Sequence, residues 1–410
     1  MSADDAPMAG QLPVYAPLAG VRILDMATVV AAPLGATLCA DLGADTVKLE
    51  LPAGTDTLRT LAPVLNGKPV WWKVANRGKR GITLDVRKPA GRDLLLRMLP
   101  RFDVLVENFR TGTLAGWGLD TATLLGANPR LVVLRLTGFG QTGPYARRPG
   151  FARVFEAMTG YTSLTKSADG TPLHADFPLG DAVAGLYAAF CIAAEMVRLR
   201  DDPQARGREV DLAASEALLR LLDPIAAEHV LCGTVRQPRG SSASYTAPSN
   251  IYCSADGVHF SMAASSDEMF RRLAQGLGRK DWLADPRFGH NASRRTHTAL
   301  IDAEVAQSFA AMQFDDIVEL LDRIAVPFSK VNDIRDVLAD PHFSARQAFV
   351  HCADPDFGVL PTACVVPRSP GYQSLTPTSG PSVGQHNDAF YGELGLQPDE
   401  FEQLRSDGVI

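Results

Sequence analysis

Residues 21–50 read VRILDMATVVAAPLGATLCADLGADTVKLE, and they set the architecture of the chain. The run at 21–26 is typical of a buried strand, and the run at 45–50 is typical of a second one. Between them, the small apolar residues of 32–42 predict a helix. A strand, a helix and another strand in this order form the repeating unit of a parallel sheet wrapped by helices.

The alternation continues downstream. Its further elements are strands at 80–86, 103–107 and 131–136 and a helix at 90–99. Parallel sheets bind ligands in the loops beyond the carboxyl ends of their strands. We therefore expect a binding site in the loops at 27–31, 51–55, 108–112 and 137–143.

A segment rich in turn formers, RQPRGSSASY at 236–245, interrupts the pattern and indicates a linker or a mobile loop. Beyond it, 251–253 and 258–263 predict a short hairpin, followed by helices to about residue 323. We expect this part to form a second, smaller domain. Two final helices are predicted at 387–394 and 398–405.

The composition limits the classes of function. The chain has 410 residues, of which 46% are hydrophobic and 21% are charged, the balance of a soluble globular protein. Its net charge of -6 argues against general binding to nucleic acid or to an anionic membrane. No uncharged apolar run is long enough to span a bilayer, and the N-terminus lacks the basic residues of a signal peptide. We expect a cytoplasmic protein with no nucleic-acid and no membrane partner.

Two familiar kinds of site find no support in the spacing of residues. The six cysteines form no C-x-x-C pair and the eight histidines no H-x-x-x-H pair, so no metal site is predicted. The motif GFGQTG at 138–143 matches a dinucleotide fingerprint, but prolines and arginines follow where that fingerprint needs a helix. We therefore assign no nicotinamide or flavin chemistry to it.

Asp181 is the candidate for covalent chemistry. The turn PLGD at 178–181 precedes a long apolar helical pattern, which places Asp181 at or next to the N-cap of a helix. The backbone N–H groups and the dipole of the helix favour an ionised carboxylate there. Such a carboxylate is a possible nucleophile, and simple capping is the alternative.

Basic residues gather around two of the predicted strands. Lys73, Arg77, Lys79 and Arg80 lie before or at the start of one strand, and the sequence Asn108-Phe109-Arg110 follows the next. Basic groups in loops at strand ends suit a ligand rich in phosphate. A solvated charged face is the alternative interpretation.

Several blocks in order resemble one family. They are LAGVRILD at 18–25, ADLGADTVK at 40–48, NRGKRGITLD at 76–85, DVLVENF at 103–109, GFGQTGP at 138–144 and the Gly180-Asp181 turn. The chain resembles the class III coenzyme A transferases, the group of formyl-CoA and carnitine-CoA transferases, of which the α-methylacyl-CoA racemases are a divergent branch. The resemblance covers nearly the whole length.

The resemblance implies an α/β fold. We expect a Rossmann-like parallel-sheet large domain that binds CoA, formed by 17–225 and completed by 331–410, and a smaller α+β domain with its linkers at 226–330. Relatives form a dimer of interlocked rings. A homodimer is therefore expected, with a hetero-oligomer as the alternative.

The resemblance also implies roles for individual residues. Asp181 takes the position of the nucleophilic aspartate. Thr28, Val29, Val30 and Ala31 match the loop along the CoA thiol arm and the reacting carbonyls. The positions that hold the nucleotide portion of CoA are matched by Lys79, Asn108 and Phe109. CoA thioesters would be substrates, with no permanently bound cofactor.

The implied function is transfer of CoA from an acyl-CoA, such as succinyl-CoA, to a free carboxylic acid through mixed anhydrides and an aspartyl-CoA thioester. Relatives often carry an arginine at Leu51, an acidic residue at Ala152 and, in the formyl-CoA enzyme, a glutamine at Val30. Serines in the loop 240–245 replace the glycines of a flap and could bind a second carboxylate. An acyl-CoA racemase or isomerase and a non-catalytic subunit of a two-gene transferase are the alternatives.

Overall fold

The computed structural model describes residues 12–167 and 169–410. They form two compact units. Unit 1 contains the described residues up to Thr159 together with Ala175–Asp223 and Ala345–Ile410. Unit 2 contains the described residues of Gly160–His174 and Pro224–Ser344. These limits lie near the expected domain limits at 225 and 330 without coinciding with them, and the roles assigned to those domains stay predictions.

The strands and helices are numbered in chain order. The strands are β1 (Arg22–Asp25), β2 (Asp45–Glu50), β3 (Val64–Leu65), β4 (Lys68–Pro69), β5 (Lys79–Thr83), β6 (Val104–Glu107), β7 (Val132–Thr137), β8 (Glu209–Ala213), β9 (Ser249–Cys253), β10 (His259–Ala263), β11 (Phe328–Lys330), β12 (Phe349–Asp354) and β13 (Gly358–Ala363). The helices are α1 (Ala31–Asp41), α2 (Val70–Ala75), α3 (Pro89–Met98), α4 (Thr113–Gly116), α5 (Thr121–Ala127), α6 (Ala152–Met158), α7 (Leu179–Asp201), α8 (Ala214–Leu221), α9 (Asp223–Cys232), α10 (Asp267–Gly276), α11 (Lys280–Ala284), α12 (Asn291–Thr296), α13 (Thr298–Ala310), α14 (Phe314–Arg323), α15 (Ile334–Ala339), α16 (Pro341–Ala345), α17 (Asn387–Leu394) and α18 (Pro398–Ser406).

Unit 1 is built on a six-stranded parallel sheet with the order β5-β2-β1-β6-β7-β8. β1 pairs with β2 on one side and with β6 on the other, so the strand order reverses between β1 and β6. Leu24 lies beside both Val47 and Leu105 in this register. The predicted parallel sheet of an α/β fold is confirmed. Such sheets bind ligands at the reversal point, beyond the carboxyl ends of the strands.

One strand of the sheet was not predicted from the sequence. β8 pairs with β7 at the edge, where Glu209 lies beside Val133 and Asp211 beside Arg135. Its residues EVDLA include two carboxylates, so it offers no apolar run of the kind that marks a buried strand. An edge strand exposes one side to solvent and tolerates such charges.

The C-terminal part of the chain completes unit 1. Nδ1 of His386 accepts the N–H group of Gly81 at 2.9 Å, and Oδ1 of Asn387 accepts the N–H group of Thr83 at 2.9 Å. The hydroxyl group of Tyr391 donates to the carbonyl group of Thr83 at 2.7 Å. These contacts attach α17 along the edge strand β5, while its buried aromatic residues join the core over one face of the sheet.

Small residues bring α1 and α7 together on the other face. A Cβ atom added to Gly35 would lie 2.6 Å from Cβ of Ala188, and one added to Gly185 would lie 2.9 Å from the carbonyl oxygen of Ala31. Larger residues at these glycines would push the helices apart. The first turn of α7 therefore lies beside the start of α1, directly after β1.

By length and apolar composition alone, α7 could cross a membrane. It packs against α1, α6, α8 and β7, which identifies it as a core helix of unit 1. Leu186, Phe190 and Val197 are exposed at spacings that place them on one face. That face is an apolar stripe without a cover inside the described chain.

Unit 2 contains the antiparallel sheet β11-β10-β9, and the predicted hairpin corresponds to β9 and β10. Its core gathers aromatic residues, with the rings of Phe260 and Phe309 5.1 Å apart. The hydroxyl group of Ser242 in the serine-containing loop donates to Asp302 at 3.1 Å. This serine is thus used inside unit 2, and binding of a substrate carboxylate by the loop stays a prediction.

Candidate active site

A cavity of about 230 Å³ lies in unit 1 beyond the carboxyl ends of β1, β6 and β7. The loops after these three strands line it, together with Asp181 from α7 and Phe155 from α6. It therefore occupies the reversal point of the sheet, where the strand order predicted a ligand site. All predicted site residues except Lys79 line this cavity: Thr28, Val29, Val30, Ala31, Asn108, Phe109 and Asp181.

Asp181 is the third residue of α7, whose N-cap is Pro178. The N-cap is therefore Pro178 and not Asp181, and the N-cap residue makes no side-chain capping hydrogen bond. Asp181 is 9% exposed, and its burial, together with the charge of Glu156, raises its pKa from 3.8 to about 7. Burial and a like charge outweigh the favourable effect expected from the helix N-terminus.

Hydrogen bonds hold the loop after β1 in a fixed shape. Oδ1 of Asn108 accepts the N–H group of Thr28 at 2.8 Å, and Nδ2 of Asn108 donates to the carbonyl group of Thr28 at 2.7 Å. Oδ1 of Asp56 accepts the N–H group of Val29 at 3.0 Å. Val29 has a φ of 67°, a left-handed conformation that is rare for a β-branched residue. These contacts maintain that strained backbone at the wall of the cavity.

The same loop leads into the N-terminus of α1. Val30 is the N-cap, and no described side chain caps this end. The first N–H groups of a helix have no acceptor within the helix. Because Val30 and Ala31 line the cavity, these groups are available to stabilise negative charge that develops on a bound acyl group.

A buried ion pair supports Phe109. Oε2 of Glu107 accepts the N–H group of Phe109 at 2.6 Å, and Oε1 of the same carboxylate lies 3.0 Å from Nη1 of Arg135. The ring of Phe109 packs edge-on against Trp117, with the ring centroids 5.1 Å apart. Phe109 is therefore held on its backbone and on one side of its ring.

Lys79 lies outside the cavity. Its ammonium group is fully buried and donates to Oδ2 of Asp25 at 2.7 Å, to the carbonyl group of Pro33 at 2.8 Å and to Oδ1 of Asn76 at 2.9 Å. Burial lowers the pKa of Lys79 to about 8. The predicted contact with the nucleotide portion of CoA has no support in this geometry, because a phosphate could reach the group only if these partners were lost. Lys79 instead braces Asp25, which accepts the N–H group of Ala27 at 3.0 Å.

Of the two cations at the rim, the sequence singled out Arg110 but not Arg148. Arg110 and Arg148 line the cavity and are exposed. The guanidinium carbon of Arg148 lies 3.8 Å from the centroid of the Tyr145 ring, which holds it in place. The two adjacent arginines in the segment GPYARRPG at 143–150 could have indicated a basic rim. In the sequence analysis they indicated only that a loop follows the glycine motif.

The glycine motif at 138–143 is a loop, as predicted. The N–H group of Gln141 donates to both carboxylate oxygens of Asp211, at 2.9 and 3.0 Å. The next helix, α6, begins only at Ala152. No helix N-terminus therefore follows the motif to receive a pyrophosphate.

Comparison with known proteins identifies the family. The model of CoA-transferase family III matches residues 18–387. The chain belongs to CoA-transferase family III. It is 36% identical over 396 residues to the succinyl-CoA--D-citramalate CoA-transferase of Chloroflexus aurantiacus, covering 96% of this chain and 98% of that protein. It is 34% identical over 401 residues to the beta subunit of a succinyl-CoA--L-malate CoA-transferase of the same organism, covering 96% of this chain and 98% of that subunit.

A solved structure agrees with this assignment. The crystal structure of a CAIB/BAIF family protein from Brucella suis superposes with a TM-score of 0.80 and 30% sequence identity, covering 94% of this chain and 100% of that one. The protein is thus a class III CoA-transferase, and CoA thioesters are its class of substrate. Within residues 12–167 and 169–410, no group of three or more histidine, cysteine, aspartate or glutamate residues could hold a metal ion.

Proposed function

We propose that this CoA-transferase moves CoA from succinyl-CoA to a free carboxylic acid, with Asp181 as the nucleophile. The observation that carries the proposal is the meeting of the Asp181 carboxylate and the start of α1 in one cavity. A covalent intermediate needs a nucleophile beside donors that stabilise the oxyanion, and the Asp181 carboxylate and the first N–H groups of α1 are the groups that would supply them. Succinyl-CoA is chosen because the names of several relatives contain it.

The reaction needs only succinyl-CoA and the acceptor acid as reactants. The Asp181 carboxylate attacks the thioester carbonyl, CoA leaves as its thiolate, and a mixed anhydride forms. The thiolate then attacks the aspartyl carbonyl, which releases succinate and leaves an aspartyl-CoA thioester. The acceptor carboxylate attacks this thioester and again releases the thiolate. Attack of the thiolate on the acceptor carbonyl yields the new acyl-CoA and restores Asp181.

The rim arginines favour substrates with additional negative charge. Arg110 and Arg148 stand at the mouth of the cavity, where they can meet a second carboxylate or the phosphates of CoA. For a dicarboxylic acceptor, Arg148→Met should raise the KM more than for a monocarboxylic acceptor of the same length. An equal rise for both acceptors would assign Arg148 to CoA instead.

We also propose that the chain works as a dimer. The exposed stripe of Leu186, Phe190 and Val197 supports a partner surface on α7. A homodimer remains the first candidate. A pairing of unlike chains is the second, because relatives are named as the alpha and beta subunits of one transferase.

The decisive experiment is trapping of the covalent intermediate. The purified chain is incubated with succinyl-CoA, treated with hydroxylamine or borohydride, digested and examined by mass spectrometry. We expect the modification on Asp181 in the wild type and in Asp176→Asn, whose altered carboxylate is exposed. It should be absent from Asp181→Asn. A wild type that exchanges no CoA but racemises a 2-methylacyl-CoA would favour the racemase, and a chain active only with a second subunit would favour the two-gene transferase.

A further inference from the structure

Side chains hold the peptide group between Thr28 and Val29 at both of its ends. Nδ2 of Asn108 donates to the carbonyl group of Thr28 at 2.7 Å, and Oδ1 of Asp56 accepts the N–H group of Val29 at 3.0 Å. Asn108 comes from the loop after β6 and Asp56 from the loop after β2. Because Thr28 and Val29 line the cavity, the loops after the two strands that flank β1 fix the orientation of a peptide group in its wall.

This peptide group determines the conformation of Val29. Rotation of the group by half a turn would bring the φ of Val29 from 67° to the negative values that a β-branched residue prefers. The carbonyl oxygen of Thr28 would then face the Asp56 carboxylate and would lose the hydrogen bond from Asn108. Asp56 therefore keeps Val29 in an unfavourable conformation, because its carboxylate accepts the N–H group and repels the carbonyl oxygen.

The segment that carries Asp56 is itself firmly held. The Asp56 side chain is fully buried, its Oδ2 lies 3.4 Å from Nζ of Lys48, and its Oδ1 also accepts the N–H group of Leu58 at 3.0 Å. Further along the chain, the guanidinium group of Arg59 donates two hydrogen bonds to the Glu50 carboxylate, at 2.9 and 2.6 Å. These contacts tie the segment to the end of β2, so Asp56 presents a fixed acceptor to Val29.

The conformation of Val29 bears on the start of α1. Val29 directly precedes Val30, the N-cap of this helix. The direction in which the chain enters α1 therefore depends on the φ of Val29, and so does the position of the first N–H groups relative to Asp181. Val30 and Asp181 line the same cavity. A displacement of about 1 Å at such a site can lower the rate about 100-fold.

We propose that Asp56 is a positioning residue of the transfer reaction, which holds Val29 in its left-handed conformation through the Val29 N–H group. The inference rests on the proposed function, because the step that it serves is the acylation of Asp181 beside the start of α1. Asp56 does not line the cavity, so it acts through the backbone and not on the substrate.

Four variants separate this role from a purely structural one. Asp56→Ala removes the acceptor, whereas Asp56→Asn keeps an oxygen that accepts the N–H groups. Asp56→Ala/Val29→Gly adds a residue that adopts a positive φ without steric cost. Asp56→Ala/Asn66→Gly is the matched control, because Asn66 also has a positive φ, of 51°, but lies in the turn between β3 and β4. Each variant is characterised by kcat and KM for transfer from succinyl-CoA, by the rate of formation of the Asp181 adduct and by its unfolding free energy.

For Asp56→Ala we expect kcat to fall about 10- to 100-fold with little change in the KM for succinyl-CoA. Asp56→Asn should be less stable than the wild type, because it loses the ion pair with Lys48, but should keep kcat within about 3-fold. Addition of Val29→Gly to Asp56→Ala should raise kcat about 10-fold, because glycine adopts the left-handed conformation without help from Asp56. Addition of Asn66→Gly should leave kcat as low as in Asp56→Ala.

A wild-type kcat in Asp56→Ala would overturn the proposal. A low kcat that Val29→Gly fails to raise would equally contradict it, since the loss would then reflect stability alone. An Asp56→Asn variant as slow as Asp56→Ala would show that the charge and not the hydrogen bond is needed, which also excludes the proposed role.

If Asp56→Ala fails to fold, Lys48→Met is added to each Asp56→Ala variant, which removes the cation that the lost carboxylate leaves behind. Absence of rescue by Val29→Gly in that background would refute the proposal. A wild type that forms no adduct on Asp181 would overturn this inference together with the proposed function. An adduct on Asp181 in the wild type, without rescue by Val29→Gly, would overturn the inference alone.

Discussion

Two of the places where unit 1 buries charge differ in the effect that a neighbouring charge has on the pKa of the buried group. The first, which we call the compensated cluster, consists of Asp25, Lys48, Asp56 and Lys79. The second, the carboxylate pair, consists of Asp181 and Glu156. All four side chains of the compensated cluster are 0% exposed, and opposite charges lie within 2.7 to 3.8 Å of one another. In the carboxylate pair, a like charge adds to the effect of burial.

The difference separates a buried charge that is held by ion pairs from one that is proposed to react. Burial lowers the pKa of Lys48, but Asp25 and Asp56 outweigh it and the net shift is upward, so the ion pairs persist. The Lys48 ammonium also donates to the carbonyl group of Ala27, at the start of the cavity loop. The compensated cluster therefore braces a wall of the cavity. The carboxylate pair instead contains the proposed nucleophile, whose charge acylation would neutralise.

The largest effect should come from the carboxylate pair. Asp181→Asn removes the proposed nucleophile, and we expect CoA transfer to fall by about 10³-fold or more while the chain stays folded. Steady-state transfer from succinyl-CoA is the measurement, and Asp176→Asn should keep full activity. If Asp181→Asn retained more than a tenth of the activity, the distinction between the two regions would fail on the chemical side.

The next largest effect should come from the compensated cluster. Lys48→Met leaves two buried carboxylates without their shared cation, which costs about 3 to 5 kcal/mol of unfolding free energy. Lys68→Met removes the cation of an exposed pair with Asp356 and should cost no more than about 1 kcal/mol. Denaturant unfolding compares the two variants. Equal losses would show that the burial of Lys48 confers no structural role.

Loss of charge should also change the unfolding free energy in opposite directions in the two regions. It should lower the stability in the compensated cluster and raise it at Asp181. The pKa of Asp181 is about 7 in the folded chain and 3.8 as a free side chain, so the folded state binds the proton more tightly. This contribution to stability is complete below about pH 4 and is lost as the pH rises through 7. Asp181→Asn should therefore exceed the wild type in stability at pH 8, by on the order of 2 to 4 kcal/mol, and match it at pH 4. Unfolding free energies at both pH values test this, and a destabilised variant at pH 8 would contradict it.

Sequence patterns predicted the sheet and most of the cavity for identifiable reasons. β1 and β2 are short apolar runs around a helix of small residues, a local signal. The loops after β1 and β6 were expected to share a site because parallel strands end at one edge of the sheet. Asp181 stood out through the turn that precedes its helix. Each of these inferences needs only neighbours along the chain.

Sequence patterns did not report partners that are distant in sequence. Lys79 was interpreted as a phosphate ligand, because a lysine beside other basic residues gives no sign of a buried carboxylate 54 positions away at Asp25. Glu156 was overlooked because a glutamate in a short helix normally faces solvent, and its contact with Gly180 spans 24 positions. Compensation of charge depends on tertiary packing, which residue patterns do not report.

The smallest expected effect concerns the loop that the compensated cluster braces. Val29→Gly removes the steric penalty at a φ of 67° and also increases the freedom of the unfolded chain. Because these two effects oppose each other, stability should change by no more than about 1 kcal/mol. The loop should nevertheless become less fixed, and we expect kcat to fall a few-fold with little change in KM.

Asn66 provides the matched control for this last test. It also has a positive φ, of 51°, but lies in the turn between β3 and β4 and does not line the cavity. Asn66→Gly makes the same kind of backbone change, so it should leave kcat unchanged. If both glycine variants kept full activity, the strained conformation of Val29 would be a by-product of the turn. If only Val29→Gly lost activity, the compensated cluster would act on the reaction through the backbone that it holds in place.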